Sequence, residues 1–354
     1  MTVLRQLKLV TLGTAKRVGS FALIRDSEWR RRRLLILCYH GVSLEDEHKC
    51  SDEHVSPDHL RRRFEILREE RCAILPLGEA VERLARDELP RRSVVLTFDD
   101  GLYDFKARVC PLLLEFGYPA TVYVSTFYCL NPLPVFDVAV DYVLWKARGR
   151  AVPNGLIGEE SVRRVPDDAG MRNGVARNIR RLVRERSYSA GQKHELLREL
   201  CTRLELDWDG FLASRIDQLM TPTEVASLDR ELVDVQLHTH RHRTPRDAAL
   251  FTREIDDNVS ALANMGVARE SLKHFCYPSG DFDPMFLPWL RSRGIVTATT
   301  CEPLIASSQS DPLCLPRAID TMSVAETEFR AWVSGAAALL PRRRPRAVPS
   351  PTGS

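Results

Sequence analysis

The sequence predicts an α/β fold, and two observations carry that reading. From residue 34 onward, short apolar runs alternate with amphipathic stretches, the pattern of strands feeding helices. Polar clusters stand where two of those runs stop: Asp99-Asp100-Gly101 after the second, and His238-Thr239-His240-Arg241-His242 after the fourth. Folds of this class put their chemistry at the C-terminal ends of strands.

Leu34–Tyr39 is the first apolar run. Ser56-Pro57 then opens a helix, with Ser as N-cap, Pro in the first turn, and Leu60, Phe64 and Leu67 on one face. Ser93–Phe98 reads as a second strand, Pro119–Val124 as a third, Leu232–Leu237 as a fourth, Leu272–Tyr277 as a fifth and Ile295–Thr300 as a sixth. About a hundred residues separate the third strand from the fourth, too many for an ordinary crossover, so a helical insertion is expected there. In it, Arg177, Arg180, Arg181 and Arg184 fall on one helix face, which is either solvated or turned to phosphate or membrane. The last fourteen residues, 341–354, mix Pro, Arg and Ser and are expected to be disordered.

Hydrophobic residues make up 44% and charged residues 28%, which excludes disordered, collagenous and membrane-spanning classes and allows a sizeable core. The length of 354 residues leaves one large domain or two open. A net charge of +3 sets up no global field, so nucleic acid is not an expected partner. The nine cysteines form no C-x-x-C pair and are odd in number, which points to reduced thiols. No signal peptide or spanning helix is legible at the N-terminus. Residues 5–33 instead carry nine basic side chains against two acidic ones, a basic arm able to rest on an anionic membrane surface or simply to pack on the domain. Together these predict a cytoplasmic protein, peripheral to the inner membrane face.

The chemistry concentrates in the two strand-end clusters. If the chain turns into a helix after residue 238, His238 and His242 project from one face a turn apart, the spacing with which two imidazoles grip a metal ion, while His240 points elsewhere. A third ligand can come from one Asp of Asp99-Asp100, leaving its neighbour free as a general base. The donor set suits zinc first, with cobalt, nickel or manganese close behind.

Thr97-Phe98-Asp99-Asp100-Gly101 and His238-Thr239-x-x-His242 resemble the first two motifs of the polysaccharide deacetylase family, the NodB-homology domain of carbohydrate esterase family four. Cys38-Tyr39-His40-Gly41-Val42 is similar to a Tyr-His segment near the start of many members, and Phe275-Cys276-Tyr277-Pro278-Ser279-Gly280 to a shorter third motif. The resemblance implies a distorted (β/α) barrel, here with a helical insertion, and metal-dependent removal of an N-acetyl group from an amino-sugar polysaccharide or its glycan precursor. By position, Asp100, His238 and His242 would hold the metal and Asp99 would take the proton from water. Tyr277, Pro278 and Ser279 would border the substrate, with the Ser279 N–H on the oxyanion.

Two departures from the family pattern stand out. The usual arginine two residues before the motif proline is Cys276 here, and Arg317 is the candidate replacement. The late Leu-x-His motif is absent, which leaves His40 as candidate acid or as a support of the rim. Tyr103, Trp145, Phe282 and Trp289 could stack on sugar rings or pack in the core. The implied organisation is a basic arm over 1–33, barrel over 34–128, insertion over 129–231, barrel over 232–340 and tail over 341–354. Action on another amide or imide, or glycan binding without turnover, are the alternatives.

Overall fold

The computed structural model describes residues 10–14, 16–17, 19–152 and 164–339. The expected tail at 341–354 and the first nine residues of the arm lie outside this range.

Six parallel strands in chain order form the body of a nine-stranded sheet: β1 (Arg33–Tyr39), β2 (Ser93–Phe98), β3 (Ala120–Val124), β4 (Val233–Leu237), β5 (His274–Cys276) and β6 (Thr297–Thr299). Near-continuous apolar runs suit strands covered on both faces, and every residue of β2 and β3 is buried. The sheet curls until a short segment spans its two edges. Leu315 bridges Thr299 of β6, and β7 (Ala318–Ile319) pairs in parallel with Leu37 and Cys38 of β1. This is the distorted (β/α) barrel that the motifs implied.

Strands β5 and β6 are shorter than their apolar runs. Tyr277 leaves the ladder for the turn at Pro278–Gly280, and the N–H of Ile295 closes a helix by donating to Leu290 O at 3.1 Å. Helix α1 (Pro57–Glu69) begins as its residues dictate: the Ser56 side chain accepts from the His59 N–H and proline occupies the first turn. Its buried face holds Leu60, Phe64 and Leu67, and also Arg63, which donates to Asp320 at 2.8 Å and 3.2 Å. Helix α1 is thereby tied to the chain just after β7.

Between β3 and β4 the described residues are mainly helical. Helices α2 (Phe136–Lys146), α3 (Ala169–Glu185) and α4 (Ala190–Arg203) pack around Val140, Leu144, Ile179, Val183, Leu197 and Leu200, a core separate from that of the barrel. The arginine row on α3 is not uniform. Arg180 is half-buried and donates to Asp141 of α2, whereas Arg181 pairs with Glu185 one turn away at 3.6 Å and Arg177 and Arg184 stay exposed.

The described part of the arm is built into the barrel. Leu12 and Phe21 pack against Ala331 and Ala336 near the far end of the chain. Arg25 pairs with Glu70 at 2.7 Å, Arg31 with Glu28 at 2.6 Å and Arg32 with Asp87 at 3.3 Å, and Arg33 lies over the Trp29 ring. Arg30 is fully buried and donates to three backbone carbonyls, those of Val333, Arg33 and Ser93, at 3.0, 2.7 and 3.2 Å. Burial pulls its guanidinium down to about 10. Arg30 therefore brackets the arm, β2 and the helix Glu326–Ser334.

That bracket yields a measurable cost. Arg30→Ala removes the donors to three carbonyls and should destabilise the protein by about 3 kcal/mol, read as a lower urea midpoint at unchanged slope. A loss below about 0.5 kcal/mol, the usual range for surface changes, would mean that the carbonyls find other partners.

Candidate active site

Strand β2 delivers two adjacent carboxylates in opposite directions. The Asp99 N–H still donates to Tyr39 O at 2.9 Å, as the β1–β2 pairing requires, but Asp100 and Gly101 then take φ of 71° and 81°. At Gly101 a Cβ would lie 2.9 Å from Val124 Cγ1 as well as at positive φ, so the turn demands glycine. The reversal leaves Asp99 facing the barrel interior and Asp100 facing the histidines.

Asp99 is 3% exposed and meets Arg317, itself fully buried, through two hydrogen bonds of 2.7 Å. Arg317 also donates to Thr97 Oγ1 and Thr300 O at 3.0 Å each, and its Nη2 lies 3.1 Å from Cys276 Sγ. The small thiol leaves room for a guanidinium that arrives from the closing segment rather than from β5. Burial by itself would push the Asp99 carboxyl up. The charge and hydrogen bonds of Arg317 outweigh it and hold the group well below the ordinary range, as a carboxylate.

Asp100 Oδ1 stands 3.1 Å from His238 Nε2 and 3.2 Å from His242 Nε2. Among the described residues, ligand atoms within 4.8 Å of one another occur in Asp100–His238–His242, and also in Asp99–His238–Cys276 and Cys38–His40–Asp99. The first group best suits a divalent ion. His238 Nδ1 lies 2.9 Å from Cys276 O, which can only accept, so Nδ1 carries a proton and the neutral ring turns its Nε2 lone pair toward Asp100. A carboxylate facing such a lone pair repels it unless a proton or a cation lies between. Burial opposes protonation of His238, but Asp100 overcomes this and raises its pKa, a sign of the field that a cation would meet.

The geometry does not come from a helix. Residues 238–242 form a loop in which Thr239 and His242 have φ of 60° and 53°, and this folding, not a helical turn, brings the two imidazoles together with ring centroids 4.9 Å apart. Helix α5 (Ala248–Asn264) pins the loop. Asn258, fully buried, accepts from the His238 N–H at 3.0 Å and donates to Val124 O and Thr126 Oγ1. Glu254 accepts from the Arg241 N–H at 2.8 Å and from the Arg243 side chain at 2.7 Å. His240 turns away to Thr126 Oγ1 at 2.8 Å. Sequence reasoning missed Asn258 and Glu254 because no local pattern marks a helix residue that serves a distant loop.

Asp99, Asp100, His238 and His242 line a cleft of about 670 Å³, together with His40 and Ser279. His40 Nε2 is 3.8 Å from Asp99 Oδ2. Ser279 has a φ of 57°. Tyr277 and Pro278 do not border the cleft, which corrects the expectation: Tyr277 is buried with its hydroxyl donating to Leu313 O at 3.0 Å, and Pro278 is buried at the turn. The aromatic residues considered for sugar stacking lie elsewhere as well. Tyr103 sits under Arg215, Trp145 is buried beside Tyr142, and Phe282 and Trp289 pack on the barrel core.

The polysaccharide deacetylase family matches residues 86–135, the stretch that holds β2, the Asp99-Asp100 pair and β3. The poly-beta-1,6-N-acetyl-D-glucosamine N-deacetylases of Escherichia coli strain K12 and of Escherichia coli O157:H7 are each 33% identical over 103 residues. That overlap is 28% of this chain but spans only 15% of the length of those relatives. In fold, the chain is similar to the Streptococcus pyogenes deacetylase PplD, solved with acetate, at a TM-score of 0.50 and 18% identity over 87% of this chain and 99% of that one. It is similar to IcaB from Ammonifex degensii at a TM-score of 0.53 and 18% identity over 85% and 97%. The resemblance read from the motifs is borne out, and the fold is that of the NodB-type deacetylases.

The Asp99–Arg317 pair sets a pH signature. In the wild type the carboxyl is held below its unfolded value near 4, so its contribution to stability is present above about pH 4 and is lost as the pH falls. In Arg317→Met burial, the largest influence, keeps only the weaker opposition of His40 and His238 and raises the carboxyl, so that contribution is lost instead as the pH rises from about 4. We expect the variant to lose about 3–5 kcal/mol at neutral pH and to recover part of it toward pH 4, and the double variant with Asp99→Asn to remove that recovery. Urea melts across this range check it. Parallel pH profiles for single and double variants would contradict the account.

Proposed function

We propose that this chain is a metal-dependent hydrolase that removes N-acetyl groups from an amino-sugar polysaccharide or its glycan precursor. The observation that supports it most is the division of two neighbouring carboxylates, one fixed on a buried arginine and the other facing two imidazoles, at the rim of a cleft. The substrate class follows the names of the curated relatives, poly-beta-1,6-N-acetyl-D-glucosamine N-deacetylases.

Asp100, His238 and His242 would hold the metal, with zinc the first choice for two nitrogens and one oxygen and cobalt, nickel or manganese as alternatives. A divalent ion supplies Lewis acidity there, easing deprotonation of water and polarising the amide carbonyl. Asp99 is the base. Its two oxygens each keep lone pairs beyond those taken by Arg317, so it can accept a proton without leaving its partner. Arg317 keeps it ionised and aimed, the role that the family's usual arginine would have filled from the place of Cys276. His40, which lines the cleft beside Asp99, would protonate the leaving amine. The N–H of Ser279, which also lines the cleft, would be the donor for the developing oxyanion.

Acetate release from N-acetylglucosamine oligomers tests this directly. Asp99→Asn should lower turnover on the order of a hundred- to ten-thousand-fold while keeping metal content, because an amide fills the space but takes no proton. His238→Ala and His242→Ala should each lose metal. Asp99→Asn turning over at the wild-type rate would place the base elsewhere, and unchanged metal in both histidine variants would remove the ligand assignment.

A further inference from the structure

The cleft does not end at the Asp100 centre. Its lining extends to His54 and Asp217, and a second cavity of about 560 Å³, lined also by helices of the insertion, shares the same two residues. Behind them lies Asp104. The three come from separate parts of the chain: the segment before α1, the loop after β2, and the return from the insertion. They are 3%, 4% and 5% exposed for His54, Asp104 and Asp217. His54 Nε2 stands 3.9 Å from Asp104 Oδ2 and 4.0 Å from Asp217 Oδ1.

Two features mark this as a built site. Gly41 leaves space for the imidazole, since a Cβ there would lie 2.1 Å from the His54 ring. And polar atoms of all three side chains are left unpaired: His54 Nδ1, Asp104 Oδ1 and Asp217 Oδ2 have no hydrogen-bond partner among the described residues, although buried polar groups are normally paired. Among the described residues no arginine or lysine pairs with either carboxyl, whereas Asp141 is provided for by Arg180, Asp46 by Lys146, and Glu47 by the N–H groups of Leu44 and Glu45. Burial, followed by the nearby Glu47, raises the Asp217 carboxyl, burial raises that of Asp104 as well, and burial lowers His54 to about 4, so each of the three is held toward its neutral form for want of a partner of opposite charge.

A zinc-sized ion fits poorly. With bonds of about 2.0–2.1 Å it could join atoms 3.9–4.0 Å apart only at angles wider than about 135°, far from the tetrahedral arrangement that zinc prefers. An ammonium group fits, because hydrogen bonds of about 2.8–3.0 Å span those separations at a bend.

We propose that Asp217 and His54, backed by Asp104, form a subsite for a primary ammonium group, the free amine of a de-N-acetylated sugar adjacent to the residue being processed. The proposal rests on the deacetylase reading and adds to it that the enzyme prefers partly deacetylated chains. Each turnover turns a neutral acetamide into a cation, so the product of one event becomes a recognition element for the next.

Calorimetry with the full-length, metal-loaded protein tests this, using two N-acetylglucosamine tetrasaccharides of equal length, one fully acetylated and one carrying a single free amine. The wild type should bind the amine-bearing oligomer about tenfold more tightly, and Asp217→Asn and His54→Gln should each bring the two affinities within about twofold. No preference in the wild type overturns the proposal, a result that does not depend on how the variants fold. So does equal weakening of both oligomers in the variants, or loss of one metal equivalent from Asp217→Asn, which would mark a metal site instead. Acetate release read in the same samples separates the two ideas. Preference without acetate release would sink the deacetylase reading alone, and acetate release without preference would sink the subsite alone.

Discussion

A bidentate ion pair buried inside the barrel, Asp99 to Arg317, is the interaction on which the site depends. Two unscreened carboxylates on consecutive residues repel, and burying either alone costs on the order of several kcal/mol. Arg317 removes that conflict for one of them. It sits between Leu315, which bridges β6, and β7, which pairs with β1, so the segment that closes the sheet also delivers the guanidinium. Barrel closure and the ionisation of the proposed base are thus one event, and Thr97, Thr300 and Cys276 fix the guanidinium plane.

With Asp99 held, Asp100 is free to serve a different partner. The backbone makes the separation by adopting positive φ at Asp100, Thr239, His242 and Ser279, conformations that cost energy in non-glycine residues and persist only where the surroundings enforce them. Here the enforcement is visible. Asn258 and Glu254, on one helix, hold the backbone of the histidine loop, and Asn258 also ties that loop to the end of β3. The rigidity matters because ligand atoms a few ångströms apart select a cation only if they cannot relax away from it.

Most of the frame was legible from local sequence. The strand ending in Asp99-Asp100-Gly101, the Ser56-Pro57 helix start and the long helical gap follow from periodicity and from capping and turn chemistry that act over a few residues. Arg317 was legible as the replacement for an arginine missing at Cys276, through its place at the end of the chain's last barrel segment. The helical spacing of His238 and His242 was a wrong route to a right neighbourhood, because left-handed residues in a pinned loop can bring i and i+4 together as well. What stayed hidden were contacts over long separations: Asn258 behind His238, Arg30 among three carbonyls, and the convergence of His54, Asp104 and Asp217. Tyr277 misled for the opposite reason, since a motif residue at a strand end can turn inward when its hydroxyl finds a buried carbonyl.

The central claim is the division of labour between Asp99 and Asp100, and the ligands of a bound ion report it. Cys276 and Cys38 stand close enough to Asp99 to form competing groups, so the chemistry of the ligand shell separates the alternatives. X-ray absorption on the zinc- or cobalt-loaded protein should show only nitrogen and oxygen neighbours at about 2.0–2.2 Å, with the scattering of two imidazoles. A sulfur neighbour near 2.3 Å would place the ion on Asp99 with a thiolate and contradict the account.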